Sequence, residues 1–420
     1  MMKVLWITNI IMPSVCRDIN LPCSCFGGWL EASALSLKDR VNLSIATIYS
    51  GEELFIKDID GINYILLPSK TKMYKYDSSL EVLWKKVKKI VNPDIVHIHG
   101  TEYPYGLSYL KACGNSNVLV SIQGLLGECA KHYFDGISKK DIFHSLSFSS
   151  FIMKQDLFSG QREFKERSLL ERQMIINCEN FAGRTKWDQS IVRAVNPSAR
   201  YFFIGESLRK SFYTDIWDKK NCIKHSIFLS QAGYPIKGLH IFLKALVLVK
   251  QRFPDVKVRI AGPDITLAQT WKQKILQSGY ARMLIKQILK FQLRDHIEFL
   301  GPLDENMMKA EYLKTNVFVC PSSLENSPNS LAEAQILGTP CIASFVGGVP
   351  DMVLHKETGF LYRFEDYSVL AAYICEIFEG QYDLDKLSKN EQELALKRHN
   401  KESIIDSMLL VYSQIIGKSN

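Results

Sequence analysis

The sequence predicts an α/β protein built of two doubly wound domains. Three observations carry that prediction. Short apolar runs of strand length alternate with helical stretches along the whole chain. At 420 residues the chain exceeds what one hydrophobic core usually accommodates. Several of the strands end in glycine-bearing turns, where open parallel sheets carry their ligand loops.

Composition narrows the classes of function. The chain is 46% hydrophobic, ordinary for a globular protein. Its formal charge of +8 is mild, and no basic block resembles a nucleic-acid arm. The charge suits anionic small molecules and an anionic membrane surface. MMKVLWITNI runs straight into a strand, so no signal peptide is expected. No apolar run approaches the ~20 residues of a membrane span. A cytoplasmic protein is expected, able to sit peripherally at the inner face of the membrane. The ten cysteines are scattered and read as free thiols. Cys16, Cys23 and Cys25 share one loop but lack a fourth ligand, so no metal site is assigned.

In chain order, residues 3–8 (KVLWIT) read as a buried strand. Gly27-Gly28 then lead into a helix over 29–37, where Trp29, Leu30, Ala32 and Leu35 are apolar. Strand, glycine pair and helix form either a plain turn or an amide-lined one that approaches a ligand at Gly28. Residues 41–47 and 62–67 are further strands. Asp58-Ile59-Asp60 lies between them without a companion acid or histidine and reads as a surface turn. Residues 80–90 form a Lys-rich helix that Pro93-Asp94 ends. In the strand over 95–98, His97 lies two residues before His99, so both share one face. His99, beside Gly100 at the carboxyl end, is the candidate for a ligand cleft. The strand over 118–122 ends in Gln123-Gly124. Residues 127–173 interleave aromatic and basic side chains, either as two ordinary helices over the sheet or as a surface for an anionic membrane or lipid-linked acceptor. A short strand over 181–183 precedes Arg184 and a helix from Thr185. Residues 201–204 close this half.

The domain boundary is expected near residue 215. A strand over 225–230 restarts the pattern, and a helix runs over 239–251. Lys237-Gly238 at its start is a good phosphate site, a mobile ammonium beside free amides. The strand over 256–261 ends at Gly262, which lets backbone approach a ligand. Residues 266–291 hold two helical pieces, and 296–301 is a strand. The strand over 316–322 leads to a helix with Ser327 as N-cap and Pro328 at its first position, stopped by Gly338. A strand over 341–344 and Gly347-Gly348 complete a βαβ unit. Glu325 lies in its loop and Glu333 eight residues on, inside the helix. Between them the amides of Asn329 and Ser330 open the helix N-terminus to an anion. Two acids around an amide-lined phosphate site suit a nucleotide-sugar: Glu333 on the ribose, the helix end on the pyrophosphate, Glu325 on the sugar. Ser330 and Glu333 equally fit a capping box, and Glu325 a solvated loop acid.

The segment SLENSPNSLAEAQILGTPCIAS with FVGGVPDMV resembles the E-x7-E segment of family 4 glycosyltransferases, retaining enzymes of the GT-B fold. The resemblance covers essentially the whole chain. It implies an N-terminal acceptor-binding Rossmann-like domain over 1–215, a nucleotide-sugar domain over 216–395, and a final helix over 396–420 that crosses back to the first domain. It places the Gly28 loop beneath donor phosphate and sugar, and Lys237 on the pyrophosphate. Ser327 and Gly262 fall among the donor contacts. His99, Gln123 and Arg184 fall on the sugar and acceptor side. Two departures stand out. Gln123 replaces a frequent histidine, and Gln231-Ala232 replace a Gly-Arg whose arginine also holds phosphate. Arg209 or Arg184 would then have to supply that charge.

The reading is a metal-independent, retaining hexosyltransferase of polysaccharide or glycolipid biosynthesis. It needs no cofactor beyond its nucleotide-diphosphate sugar, which is a co-substrate. The acceptor is a saccharide or a lipid-linked one. The alternatives are a GT-B nucleotide-sugar epimerase, which acts without an acceptor, a phosphorylase, which would need a lysine for pyridoxal phosphate, and a degenerate partner subunit, which the missing arginine motivates.

Overall fold

A computed structural model describes residues 1–21, 27–268 and 270–417. The chain divides into two compact units. The first comprises 1–127, 165–209 and 398–420, and the second 128–164 and 210–397. The chain leaves the first unit at 209. Residues 128–164, expected within the first half, pack instead with the second unit. Alternating polarity cannot reveal which of two similar units a helical excursion joins.

The first unit is built on an eight-stranded sheet: β1 Lys3–Ile7, β2 Asn42–Tyr49, β3 Phe55–Ile59, β4 Ile62–Pro68, β5 Ile95–His99, β6 Val118–Ser121, β7 Asn180–Gly183 and β8 Arg200–Phe203. Their spatial order is β3-β4-β2-β1-β5-β6-β7-β8. All neighbours are parallel except β3 and β4. A parallel sheet is covered on both faces, and β1 shows how. Leu5 and Ile7 enter one core, with Leu80, Trp84 and Val87 of the helix Leu80–Val91. Val4 and Trp6 enter the other, with helices Gly28–Leu37 and Lys401–Ile416.

The antiparallel β3 was not expected. Its exposed residues carry no apolar run, and Asp58 lies within it rather than in a turn. The turn is Asp60-Gly61, both with positive φ, which suits a two-residue hairpin loop. Of the three clustered cysteines, Cys16 is buried, while Cys23 and Cys25 lie outside the described residues. The eight described cysteines are all free thiols.

The second unit carries six parallel strands: β9 Ser226–Leu229, β10 Lys257–Ile260, β11 Ile297–Phe299, β12 Val317–Cys320, β13 Cys341–Ser344 and β14 Phe360–Tyr362. Their order is β11-β10-β9-β12-β13-β14. Chain direction reverses its march between β9 and β12, so the loops after these strands form the switch point. No helix among the described residues is long and apolar enough to cross a membrane.

The turn after β9 depends on one glycine. Gly238 has φ +71°, and a Cβ there would stand 1.7 Å from the Pro321 carbonyl oxygen. Gly238→Ala should therefore cost at least about 1–3 kcal/mol from backbone conformation alone. Gly233→Ala, with open space around its Cβ, should be neutral. Urea midpoints of the two variants check this.

Candidate functional site

In the second unit the helix Asn329–Leu337 follows β12. Its N-cap is Pro328, in extended conformation, and not Ser327. The helix starts one residue later than expected, and the buried Ser327 hydroxyl turns to Met352 Sδ at 3.5 Å. Leu331 and Ala332 donate the first intrahelical bonds, both to the Pro328 carbonyl. The amides of Asn329 and Ser330 therefore stand ahead of the ladder, as an anion site requires. Glu333 is buried in the second turn.

Beside this helix end lies the main polar pair. Lys237 Nζ donates to Glu325 Oε1 at 2.7 Å, with the two side chains only 11% and 12% exposed. Ser322 Oγ donates to the same oxygen at 2.7 Å, so Oε2 carries neither bond. Burial pulls the Lys237 ammonium down, but the Glu325 carboxylate overrides it and holds the lysine above its ordinary value. Lys237 is thus charged at every working pH. The Glu325 backbone is fixed as well, its carbonyl accepting from Gly348 N–H at 3.0 Å. Gly347 has φ +51° and would push a Cβ to 2.0 Å from that carbonyl oxygen. Ser230, Gln231, Lys237, Ser322, Glu325 and Ser330 line one small cavity. Gly262 does not join it: its N–H donates to the Gly301 carbonyl at 2.8 Å, tying the loops after β10 and β11. Ala232 is buried, where the expected arginine would have stood.

In the first unit, His97 and His99 both point to one face of β5, their rings 3.9 Å apart. They differ in what they touch. His97 lies 2.7 Å from Tyr412 Oη and 2.6 Å from Ser121 Oγ. Trp6 Nε1 donates to the same Tyr412 hydroxyl at 3.0 Å. All three contacts are satisfied when Trp6 and Tyr412 donate in turn, Tyr412 to His97 Nδ1, and His97 Nε2–H donates to Ser121 Oγ. His97 is thus a structural group. His99 packs 4.4 Å from the Trp6 ring, and its Nε2 has no partner among the described residues. Burial pushes its imidazole down to about 3, so it is neutral.

His99 lines a cavity with Trp29, Gln123, Arg184 and Glu206. Arg184 and Glu206 form a buried ion pair, and Gln123 Nε2 donates to the other Glu206 oxygen. Arg184 Nη2 also donates to the Gln123 carbonyl at 3.2 Å. Arg184 is therefore held by Glu206 and the Gln123 carbonyl, within the first unit. Glu206 and Ser322 escaped sequence reading. Glu206 stands in a linker-like ESLRKSFY stretch, and only its position just after β8 could have marked it. Gly28 begins the helix Gly28–Leu37, against the Arg209 side chain: a Cβ on it would lie 3.2 Å from Arg209 Cδ.

A second buried acid shapes the Gln123 loop. Glu171 accepts from Leu126 N–H at 2.9 Å, Gly127 N–H at 3.0 Å and Thr101 Oγ1 at 3.1 Å. Glu102 accepts from Gly124 N–H at 2.6 Å. Burial pushes the Glu171 carboxyl up to about 7 from its ordinary 4.5. The folded chain holds that proton over a window where the unfolded chain has lost it. Stability from this group is full below pH 4.5 and declines as pH rises to 7, by roughly 3 kcal/mol. Glu171→Gln should flatten that decline, which urea titrations at pH 5 and pH 7.5 would read.

Two strand-helix sheets with ligand loops at their carboxyl ends define the GT-B fold. The family described as glycosyl transferases group 1 matches residues 195–394, close to half of the chain. YtcC of Bacillus subtilis, provisionally named a glycosyltransferase, is 26% identical over 339 residues, covering 80% of this chain and 74% of its own. A D-inositol 3-phosphate glycosyltransferase of Corynebacterium glutamicum is 30% identical over 133 residues, covering 30% of this chain and 28% of its own. Among solved structures, sucrose-phosphate synthase from Thermosynechococcus elongatus superposes with TM-score 0.70 at 16% identity, over 99% of this chain and 100% of that one. Anabaena HepE in complex with UDP and glucose gives 0.64 at 16% identity, over 98% and 100%.

Proposed function

We propose that this protein is a retaining glycosyltransferase that moves a hexose from a nucleotide-diphosphate donor to an acceptor hydroxyl. The observation that carries the reading is the buried Lys237–Glu325 pair beside the open amides of Asn329 and Ser330. A departing diphosphate needs fixed positive charge, and an ammonium plus helix-end amides supply it without a metal. Because Lys237 is already charged and held, no reorganisation is required as the bond breaks. Glu325 would orient the donor sugar and favour the cationic ring; Glu333 would take the ribose. On the acceptor side, the neutral His99 and the network-held Gln123 are suited to hydroxyls, since neither needs a counter-charge. The matched group 1 family and a neighbour complexed with UDP and glucose support a nucleotide-sugar donor. A relative in Salmonella typhimurium provisionally named for colanic acid biosynthesis supports a polysaccharide product; work in the cytoplasm at the inner face of the membrane is part of the same proposal.

Thermal shift with uridine, guanosine and adenosine diphosphate-sugars tests the donor site. One nucleotide should stabilise the protein by ~2.7 kcal/mol at a hundredfold excess over Kd, and Glu333→Ala should abolish the shift. No shift with any donor would sink the reading. Product analysis then separates transfer from epimerisation.

The ion pair allows catalysis and stability to be separated. Lys237→Met leaves a buried carboxylate uncompensated and should cost roughly 3–5 kcal/mol. Adding Glu325→Gln should restore most of that stability while turnover stays lost, as urea melts and donor consumption would show.

A further inference from the structure

From the surface of the second unit we infer that the protein docks on anionic lipid bilayers through one face, formed by residues 139–154 and 271–290. This deepens the membrane-face reading above and is independent of the transfer chemistry. The two segments form one surface. Helix Phe148–Ile152 packs on helix Trp271–Leu276, and helix Lys139–Ser145 on helix Gly279–Lys290. Arg282 Nη2 donates to the Ser145 carbonyl at 2.7 Å, and Gly279 N–H to the Gln155 carbonyl at 2.9 Å.

Large apolar side chains on this surface face outward. Phe143 is 68% exposed, Phe151 72% and Trp271 67%, with Ile152, Met153 and Leu276 exposed among them. Aromatic and aliphatic groups left in water this densely mark a docking face. The charge says what docks. The two segments contain eight Lys or Arg and one Asp, a net +7 in 36 residues, against +8 for the entire chain. The two segments that carry these exposed aromatic side chains thus also carry most of the chain's net charge. A protein partner would match such a face residue by residue. Aromatic tips that enter the acyl boundary, ringed by lysines that meet phosphates, match an anionic bilayer instead. With no spanning helix among the described residues, this face would hold the protein reversibly.

Flotation of the full chain with vesicles of phosphatidylcholine and phosphatidylglycerol, against phosphatidylcholine alone, is the test. Binding is expected to the anionic vesicles, weakening several-fold in high salt. Phe151→Ser/Trp271→Ser should lower the bound fraction by about tenfold. Replacing Lys139, Lys140, Lys154 and Lys274 with Gln should remove the preference for anionic lipid. Thermal melting and the diphosphate-sugar shift should stay unchanged in both variants, which keeps this result separate from the donor-site test. Equal binding to both vesicle types, or binding that both variants retain, overturns the inference. So does a dimer in light scattering that Phe151→Ser/Trp271→Ser converts to monomer, since a second copy would then be the occupant.

Discussion

Parallel strand pairing is the constraint on which everything else here rests. Every strand of a parallel sheet must return by a crossover, so its following loops gather at one edge. In the first unit that edge receives Gly28 after β1, His99 at the end of β5, Gln123 after β6, Arg184 after β7 and Glu206 after β8. In the second it receives Lys237 after β9 and Glu325 after β12, two residues 88 apart in the chain whose strands are neighbours in the sheet. Neither pairing is local. Both exist because the hydrogen-bond ladders beneath them fix strand order.

The two units treat buried charge in the same way. Each removes one cation and one carboxylate from water together, Lys237 with Glu325 and Arg184 with Glu206. Such pairs add little net stability, because desolvation offsets attraction. What they supply is position. Ser322 and Gly347 hold Glu325, and Gln123 and His399 hold Glu206. Sites so surrounded have few other places to put their charges, which is what preorganisation means physically.

Much of this was legible in the sequence. Strand and helix positions follow from apolar runs and glycine or proline stops, and the loop position of Glu325 and the helix position of Glu333 are readable without coordinates. What stayed hidden is of three kinds. β3 did not announce itself because Lys57-Asp58 interrupt its apolar residues, and an edge strand can leave most of its side chains in water. The role of Glu206 is set by partners 22 and 83 residues away, a separation no local pattern encodes. The N-cap is Pro328 and not Ser327, whose hydroxyl contacts Met352 Sδ instead of a helix amide. His97 and His99 show the limit most plainly. Sequence places them on one face, but only tertiary packing separates the structural histidine from the open one.

The chain passes between its two units after residues 127, 164, 209 and 397. Trp6 lies in the first strand, and the hydroxyl it bonds belongs to Tyr412, 406 residues later. At about 5–20 residues per second on the ribosome, that partner arrives roughly 20–80 s after the tryptophan. Throughout that interval the sheet face destined for the helix Lys401–Ile416 is unfinished, and His97 lacks one of its two hydrogen bonds. The first unit to be begun is thus the last to be completed: one face of its sheet waits for the helix Lys401–Ile416 to cover it.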